Sequence, residues 1–183
     1  MRKNVENGTI EIITGPMFAG KSSELIKRLT LYKIAKFEPI IFKPALDTRF
    51  SDSKIVSRTG STFPAISINE PKEVLSHIDE KTEVIAFDEI QFFDKKIITI
   101  IEKLANKGIH IIISGLDMDF EGNPFENVAK LMAIADKVDK LKAVCMVCYA
   151  PAGMSFRKID SKLRTVIGDD IYEARCRFCH KNK

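Results

Sequence analysis

No apolar run in this chain approaches the ~20 residues needed to span a bilayer. Nothing apolar follows the basic start Met1-Arg2-Lys3 that would read as the core of a secretory signal. The expectation is a cytoplasmic protein without membrane contact. Internal repeats and low-complexity tracts are absent as well, which sets aside solenoids and disordered linkers. Charge of one sign is not concentrated: 29 Lys and Arg stand against 25 Asp and Glu, for a net charge of +4. The basic residues are scattered, and lysines at the two ends (Lys3, Lys181 and Lys183) inflate the balance. That pattern favours an ordinary solvated surface over a nucleic-acid groove. Cysteine is scarce, with four in 183 residues, all in two pairs near the end. A hydrophobic fraction of 45% supports a core, and the length suits one α/β domain with a small appendage.

Strand-like apolar runs alternate with helical patterns, which predicts a parallel sheet flanked by helices. The strands are expected at residues 9–14, 39–43, 84–87 and 109–114, with a less clean one at 137–144. Helices are expected at about 22–35, at 71–79 with Pro71 at its first position, at 97–105 and at 125–135. Asn106-Lys107-Gly108 is a helix stop signal. The polar, turn-rich stretch 45–63 reads as a functional or mobile loop. Past Val144 the runs shorten and cysteines and basic residues appear, so the expected division is residues 1–144 and 145–183.

Directly after the first strand stands Gly15-Pro16-Met17-Phe18-Ala19-Gly20-Lys21-Ser22, followed by a helical pattern. Strand, glycine-bounded loop and helix start together make a phosphate-binding P-loop. Its backbone N–H groups cradle phosphate oxygens, Lys21 supplies a charge to the β/γ-phosphates, and Ser22 suits Mg²⁺. Val84-Ile85-Ala86-Phe87 ends in Asp88, placed to sit beside that Mg²⁺, and Glu89 next to it is a candidate general base. Capping of the following helix is the plainer role for Glu89. The base could act on water, as in an ATPase, or on an acceptor hydroxyl. Phe92-Phe93 leans toward a small flat acceptor, although two phenylalanines are more often just core.

Cys145-x-x-Cys148 and Cys176-x-x-Cys179 use every cysteine of the chain. Four thiolates at this spacing suit a closed, structural tetrahedral Zn²⁺ site. Disulfides and a redox pair are the rivals, and His180 is an alternative ligand to Cys179. A metal there would pin both ends of the segment Tyr149–Arg175.

The P-loop as written, Asp88-Glu89-x-Gln91-Phe92-Phe93, and paired C-x-x-C knuckles around a glycine-bearing loop resemble the zinc-containing thymidine kinase family of many bacteria and of the animal cytosol. Asp47-Thr48-Arg49-Phe50, Gly115-Leu116-Asp117-x-Asp119-Phe120 and Pro124-Phe125 agree too, so the resemblance spans essentially the whole chain. It implies transfer of the γ-phosphoryl of ATP to the 5′-hydroxyl of deoxythymidine. Glu89 matches the family's catalytic base, and Arg49 a residue near the phosphates that stabilises transferring charge. The resemblance extends the ATP site from the P-loop to Asp88, Glu89, Ile90 and Gln91, and the Mg²⁺ site to Ser22, Asp88 and Asp47. Met17, Phe92, Leu116, Phe120, Phe125 and Ser155 match the wall around thymine. Val166, Ile167, Gly168 and Tyr172 match a lasso-like loop that closes over the base. The family commonly carries two glycines in that loop; here Gly168 is followed by Asp169, and Tyr172 comes about one residue early. A homotetramer and feedback inhibition by dTTP are also implied. The competing readings are a nucleic-acid-binding ATPase using Arg157, Lys158, Lys162, Arg164, Arg175 and Arg177, and a non-catalytic nucleotide sensor.

Overall fold

The structure is a computed structural model that describes residues 8–46, 53–58, 60–161, 163–166 and 168–182. Its centre is a six-stranded, all-parallel sheet. In chain order the strands are β1 (Ile10–Gly15), β2 (Ile40–Pro44), the hairpin strands β3 (Lys54–Val56) and β4 (Thr62–Pro64), then β5 (Ile66–Ile68), β6 (Val84–Phe87), β7 (His110–Leu116) and β8 (Lys137–Lys140). Across the central sheet the order is β5-β2-β6-β7-β1-β8. β1 therefore lies between two strands that come about a hundred residues later, with Ile10 opposite Ile111 and Glu11 opposite Lys137.

A parallel sheet covered on both faces needs apolar side chains on both, and alternation along each strand sorts them. Ile12, Phe42, Ile85, Phe87, Ile111 and Ile113 face one side, packed against α2 (Lys96–Ala105) and α3 (Glu126–Ile134). Ile13, Ile41, Val84, Ala86 and Ile112 face the other, against Leu25, Ile26, Leu29 and Tyr32 of α1 (Lys21–Ile34). In α2 the buried Ile97, Ile101 and Leu104 follow the i, i+4, i+7 spacing of a helix with one core face. Fully burying side chains of this size contributes roughly 1.5–3 kcal/mol each. The two faces thus hold the strand ends rigidly, and the functional groups are carried at the carboxyl edge of the sheet, where ligands of such folds bind.

Most expected elements appear within a residue or two. The 71–79 helix is a 3-10 helix over Pro71–His77, with a reciprocal capping box between Glu70 and Glu73. The expected strand 137–144 divides. β8 pairs with β1, and β9 (Ala143–Val144) leaves the sheet to pair with β10 (Pro151–Ala152). The polar stretch 45–63 is not all loop: Ile55 and Phe63 of the β3–β4 hairpin are 3% and 6% exposed and join the α1 side of the core. Edge strand β5 carries no alternation long enough to be read beforehand.

The C-terminal part adds a second antiparallel pair, β11 (Met154–Arg157) with β12 (Tyr172–Arg175), and a short helix α4 (Arg177–Lys181). Its core is small: Ala143, Cys145, Ala152, Ala174 and Cys179. So few apolar groups supply little burial energy, and a staple is what such a unit needs.

Candidate active site and cysteine cluster

β1 ends in Gly15, and the chain turns sharply there into the P-loop. Gly15 has φ +136, and a Cβ on it would lie 2.4 Å from the Leu141 carbonyl oxygen, so no other residue fits. Phe18 and Gly20 follow at φ 67 and 83, and α1 starts at Lys21 without a side-chain cap. An uncapped start leaves backbone N–H groups available to a phosphate. Lys21 is buried and its Nζ donates to the Pro16 carbonyl at 2.8 Å.

β6 ends one residue before Asp88, whose N–H donates to the Phe42 carbonyl at 2.9 Å and which is 6% exposed. Burial first, then the charge of neighbouring Glu89, push the Asp88 carboxyl up to about 7, with Lys21 pulling the other way. A buried carboxylate held at a phosphate loop with a hydroxyl at Ser22 is the donor set a Mg²⁺ ion takes. Glu89 lies in the left-handed region at φ 52, ψ 43. Such a position in a non-glycine residue costs on the order of 1–3 kcal/mol and is sustained where surroundings overdetermine it. Glu89 starts the short 3-10 turn Ile90–Phe92 but makes no side-chain cap. Its carboxylate instead accepts from Gln91 Nε2 at 2.5 Å, and Gln91 Oε1 accepts the Leu116 N–H at 2.9 Å. The carboxylate is thus held through Gln91 to the end of β7.

Two cavities meet here. The phosphate cavity is lined by Gly20, Lys21, Ser22, Glu89 and Arg58 among others. The second is an apolar cleft with about 520 Å³ of empty space, part of it open to solvent. Among its walls are Met17, Phe92, Leu116, Phe120, Phe125 and Ser155, with Val166, Gly168 and Tyr172 closing over them. Met17 and Leu116 line both cavities. The Ser155 hydroxyl accepts the Met17 N–H at 3.0 Å, which ties the C-terminal part to the P-loop. Tyr172 does not simply face the cleft: its hydroxyl donates to the Val166 carbonyl at 3.0 Å and so shapes the covering segment. Phe92 lines the cleft whereas Phe93 packs in the core. The expected site residues Asp47, Arg49 and Ile167 lie outside the described residues.

Several lining residues were not among those expected at the site: Met118, Asp119, Arg164 and Thr165 in the cleft, and Val56, Arg58 and Asp169 in the phosphate cavity. Asp119 is 4% exposed; its Oδ1 accepts the N–H groups of Glu121 and Asn123, and its Oδ2 takes Arg164 Nε at 2.8 Å. Arg164 also stands over the Phe125 ring at 4.9 Å. Arg157, buried at 6% exposure, stacks on Phe120 at 3.5 Å and donates to the carbonyls of Ser161 and Leu163. Arg175 covers Phe156 at 3.4 Å. Three of the arginines that suggested a nucleic-acid grip are therefore engaged in holding aromatic rings and the covering segment.

The four cysteine sulfurs lie within 4.8 Å of one another. Tetrahedral Zn–S bonds of about 2.3 Å would separate the sulfurs by about 3.8 Å, close to the 3.6 Å between Cys148 and Cys176. Burial first, and then the other three sulfurs, push the Cys179 thiol up to about 12. Burial opposes ionisation of Cys145 too, but backbone N–H groups of Cys148, Cys176 and Val147 bring it down to about 6. A cluster in which one thiol ionises readily and another resists is one that a dication completes. Cys176 Sγ also accepts the Cys179 N–H, as a metal knuckle requires, while His180 turns away, its Nε2 2.8 Å from the Phe120 carbonyl.

An apolar cleft running straight into a phosphate loop serves to move a phosphoryl group onto a small acceptor rather than onto water. The chain is in this respect a P-loop phosphotransferase. The family model described as thymidine kinase matches residues 8–180. Thymidine kinases of Mesomycoplasma hyopneumoniae strains 7448, J and 232 are each 47% identical to it over 182 residues, covering 98% of this chain and 99% of theirs. The chain belongs to the thymidine kinase family, the ATP-dependent nucleoside kinases among the P-loop enzymes.

Proposed function

We propose that the chain transfers the γ-phosphoryl of ATP to the 5′-hydroxyl of deoxythymidine, giving dTMP for DNA synthesis. The observation that carries this reading is the continuity of the two cavities through Met17 and Leu116, with Glu89 lining the phosphate cavity beside Leu116. In this reading residues 1–144 bind ATP, and residues 145–183 hold zinc and close over the nucleoside.

The P-loop, Gly15 to Ser22, wraps the triphosphate with backbone N–H groups, and Lys21 exchanges its Pro16 carbonyl for a phosphate oxygen. Ser22 and Asp88 would hold Mg²⁺, which when bound neutralises charge on the β- and γ-phosphates. Asp47, for Mg²⁺, and Arg49, for the transferring charge, are roles the family resemblance implies, and both residues lie outside the described residues. Glu89, oriented by Gln91, accepts the 5′-hydroxyl proton as the oxygen attacks phosphorus. The attack forms the new P–O bond, the γ-phosphoryl leaves ADP, and the proton stays on the Glu89 carboxyl until product release. Phe92, Phe120 and Phe125 provide flat apolar surface for the thymine ring, and the backbone of Val166 and Gly168 reads its rim. The covering segment excludes water, which is what separates a kinase from an ATPase.

A triphosphate of the same nucleoside would lay its base in the cleft and its phosphates in the loop, which supports dTTP as a feedback inhibitor. A homotetramer is supported by the exposed apolar residues Leu31 and Ile34 of α1, 54% and 70% exposed. We place the enzyme in the cytoplasm, with ATP and free thymidine. The test is transfer from γ-labelled ATP with thymidine, other deoxynucleosides or water as acceptor. Label in dTMP, lost in Glu89→Gln, is the expected result. Label only in inorganic phosphate would overturn the reading.

A further inference from the structure

Lys21 is not the only cation that faces the phosphate cavity. Arg58, at the turn of the β3–β4 hairpin, lines it together with Ser22 and Glu89. Two contacts hold it there. Its guanidinium lies 4.0 Å from the centre of the Phe18 ring, itself a P-loop residue in the left-handed region. Its Nη2 is 2.8 Å from Asp169 Oδ2. Asp169 also lines the phosphate cavity, and it directly follows Gly168, which lines the acceptor cleft. One guanidinium therefore joins three segments: the hairpin, the phosphate loop and the covering segment.

We propose that Arg58 is a second phosphate-binding cation of the transfer site, and that Asp169 is the residue that positions it. A guanidinium presents a planar fork of N–H donors, so one edge can hold a carboxylate while another meets phosphate oxygens. Stacking on Phe18 fixes the plane of that fork beside the loop that wraps the phosphates. A side chain 48% exposed can turn toward an incoming triphosphate without dismantling the core. Asp169 then does two things: it keeps Arg58 in the cavity before nucleotide arrives, and it ties the acceptor cover to the group that charges the phosphates. The proposal rests on the phosphoryl-transfer reading of this site but is read out separately from it.

The experiment compares wild type with Arg58→Ala, Arg58→Lys, Asp169→Asn and the double variant Arg58→Ala/Asp169→Asn. Steady-state kinetics give kcat and both KM values, and calorimetry measures binding of inorganic tripolyphosphate alone. Thermal unfolding confirms that each variant folds. Arg58→Ala is expected to lower kcat about 100-fold, in the range found for removing one stabilising donor. It should weaken tripolyphosphate about tenfold, with thymidine KM changed less than threefold. Arg58→Lys should recover only part of the loss, because it restores charge but not the fork. Asp169→Asn should cost about tenfold in kcat, and nothing further once Arg58 is gone. Unchanged kcat and tripolyphosphate affinity in Arg58→Ala would overturn the proposal. So would equal rises in thymidine KM in both single variants with kcat intact, the signature of a clasp that never touches phosphate. If wild type itself phosphorylates no nucleoside, the function reading fails, and the tripolyphosphate measurement still decides the role of Arg58.

Discussion

The phosphate half and the acceptor half of this site are built by opposite means. The phosphate half is local: one turn of eight residues, anchored at the end of β1 and the start of α1, with Asp88 and Glu89 at the end of the second strand over. Its donors are largely backbone, and its geometry is inherited from a sheet packed on both faces. The acceptor half is assembled from afar. Its walls come from the P-loop, the ends of β6 and β7, the turn at 118–125, β11 and the covering segment. Small apolar clusters, arginine–aromatic stacks and four cysteines hold these together. Rigidity comes from burial in the first case and from cross-ties in the second.

That difference predicts which changes separate the two halves. The largest effect falls at the proposed base: Glu89→Gln should lower kcat about a thousandfold while ATP binding persists, since base catalysis contributes on the order of 10²–10⁴. Gly15→Ala should damage the phosphate half alone. The new methyl meets the Leu141 carbonyl oxygen at 2.4 Å and the backbone cannot keep φ +136, so a loss of about 3 kcal/mol in unfolding stability is expected, with ATP binding lost. Denaturant melts and nucleotide titration check both.

Asp88→Asn works in the other direction. The native carboxyl titrates near 7, above its unfolded value, so the folded state holds its proton more tightly. The stability this contributes is full below about pH 4 and is lost as pH rises through 7. Without nucleotide or Mg²⁺, the Asn variant should therefore be more stable than wild type at pH 8 by roughly 4 kcal/mol, and equal at pH 4, though catalytically crippled. Equal melting profiles at both pH values would contradict the buried-carboxylate account.

Effects confined to the acceptor half should be smaller. Stripping metal with a chelator, or Cys145→Ser, is expected to raise thymidine KM about tenfold with ATP affinity kept; an unchanged KM with zinc gone would mean the cluster does not organise the cleft. Arg164→Ala should raise the same KM roughly threefold, through loss of its tie to Asp119 and of its stack on Phe125, with kcat almost unmoved.

The same contrast explains what could be read from the residues alone. Features encoded within a few positions were legible: the P-loop, the aspartate at the end of an apolar strand, the C-x-x-C pairs, and strands whose alternation runs four residues or more. Five of the six strands of the central sheet followed from these, the edge strand β5 excepted. The hairpin at 54–64 was not, because strands of three residues in a polar stretch carry no usable period, and Ile55 and Phe63 are buried only by their tertiary neighbours. Arg58 reaches the cavity by pairing with Asp169 across 111 positions, and Arg164 reaches Asp119 across 45. No local pattern announces a partner at that distance. Phe92 and Phe93 differ for the same reason: adjacent in sequence, one lines the cleft and the other packs in the core.

The order of strands has a consequence for how the protein comes into being. β1 emerges from the ribosome well before both its neighbours, β7 and β8, which are made about a hundred residues later. At ~5–20 residues per second, a strand rich in isoleucine waits unpaired for roughly 5–20 s. The P-loop it carries has no rigid anchor until then, and Ser155 arrives later still. A slow, non-local closing step of this kind exposes the nascent chain to mispairing. Ability to bind nucleotide should accordingly appear only after β7 and β8 have been made, and truncated chains lacking residues past 116 should aggregate rather than bind.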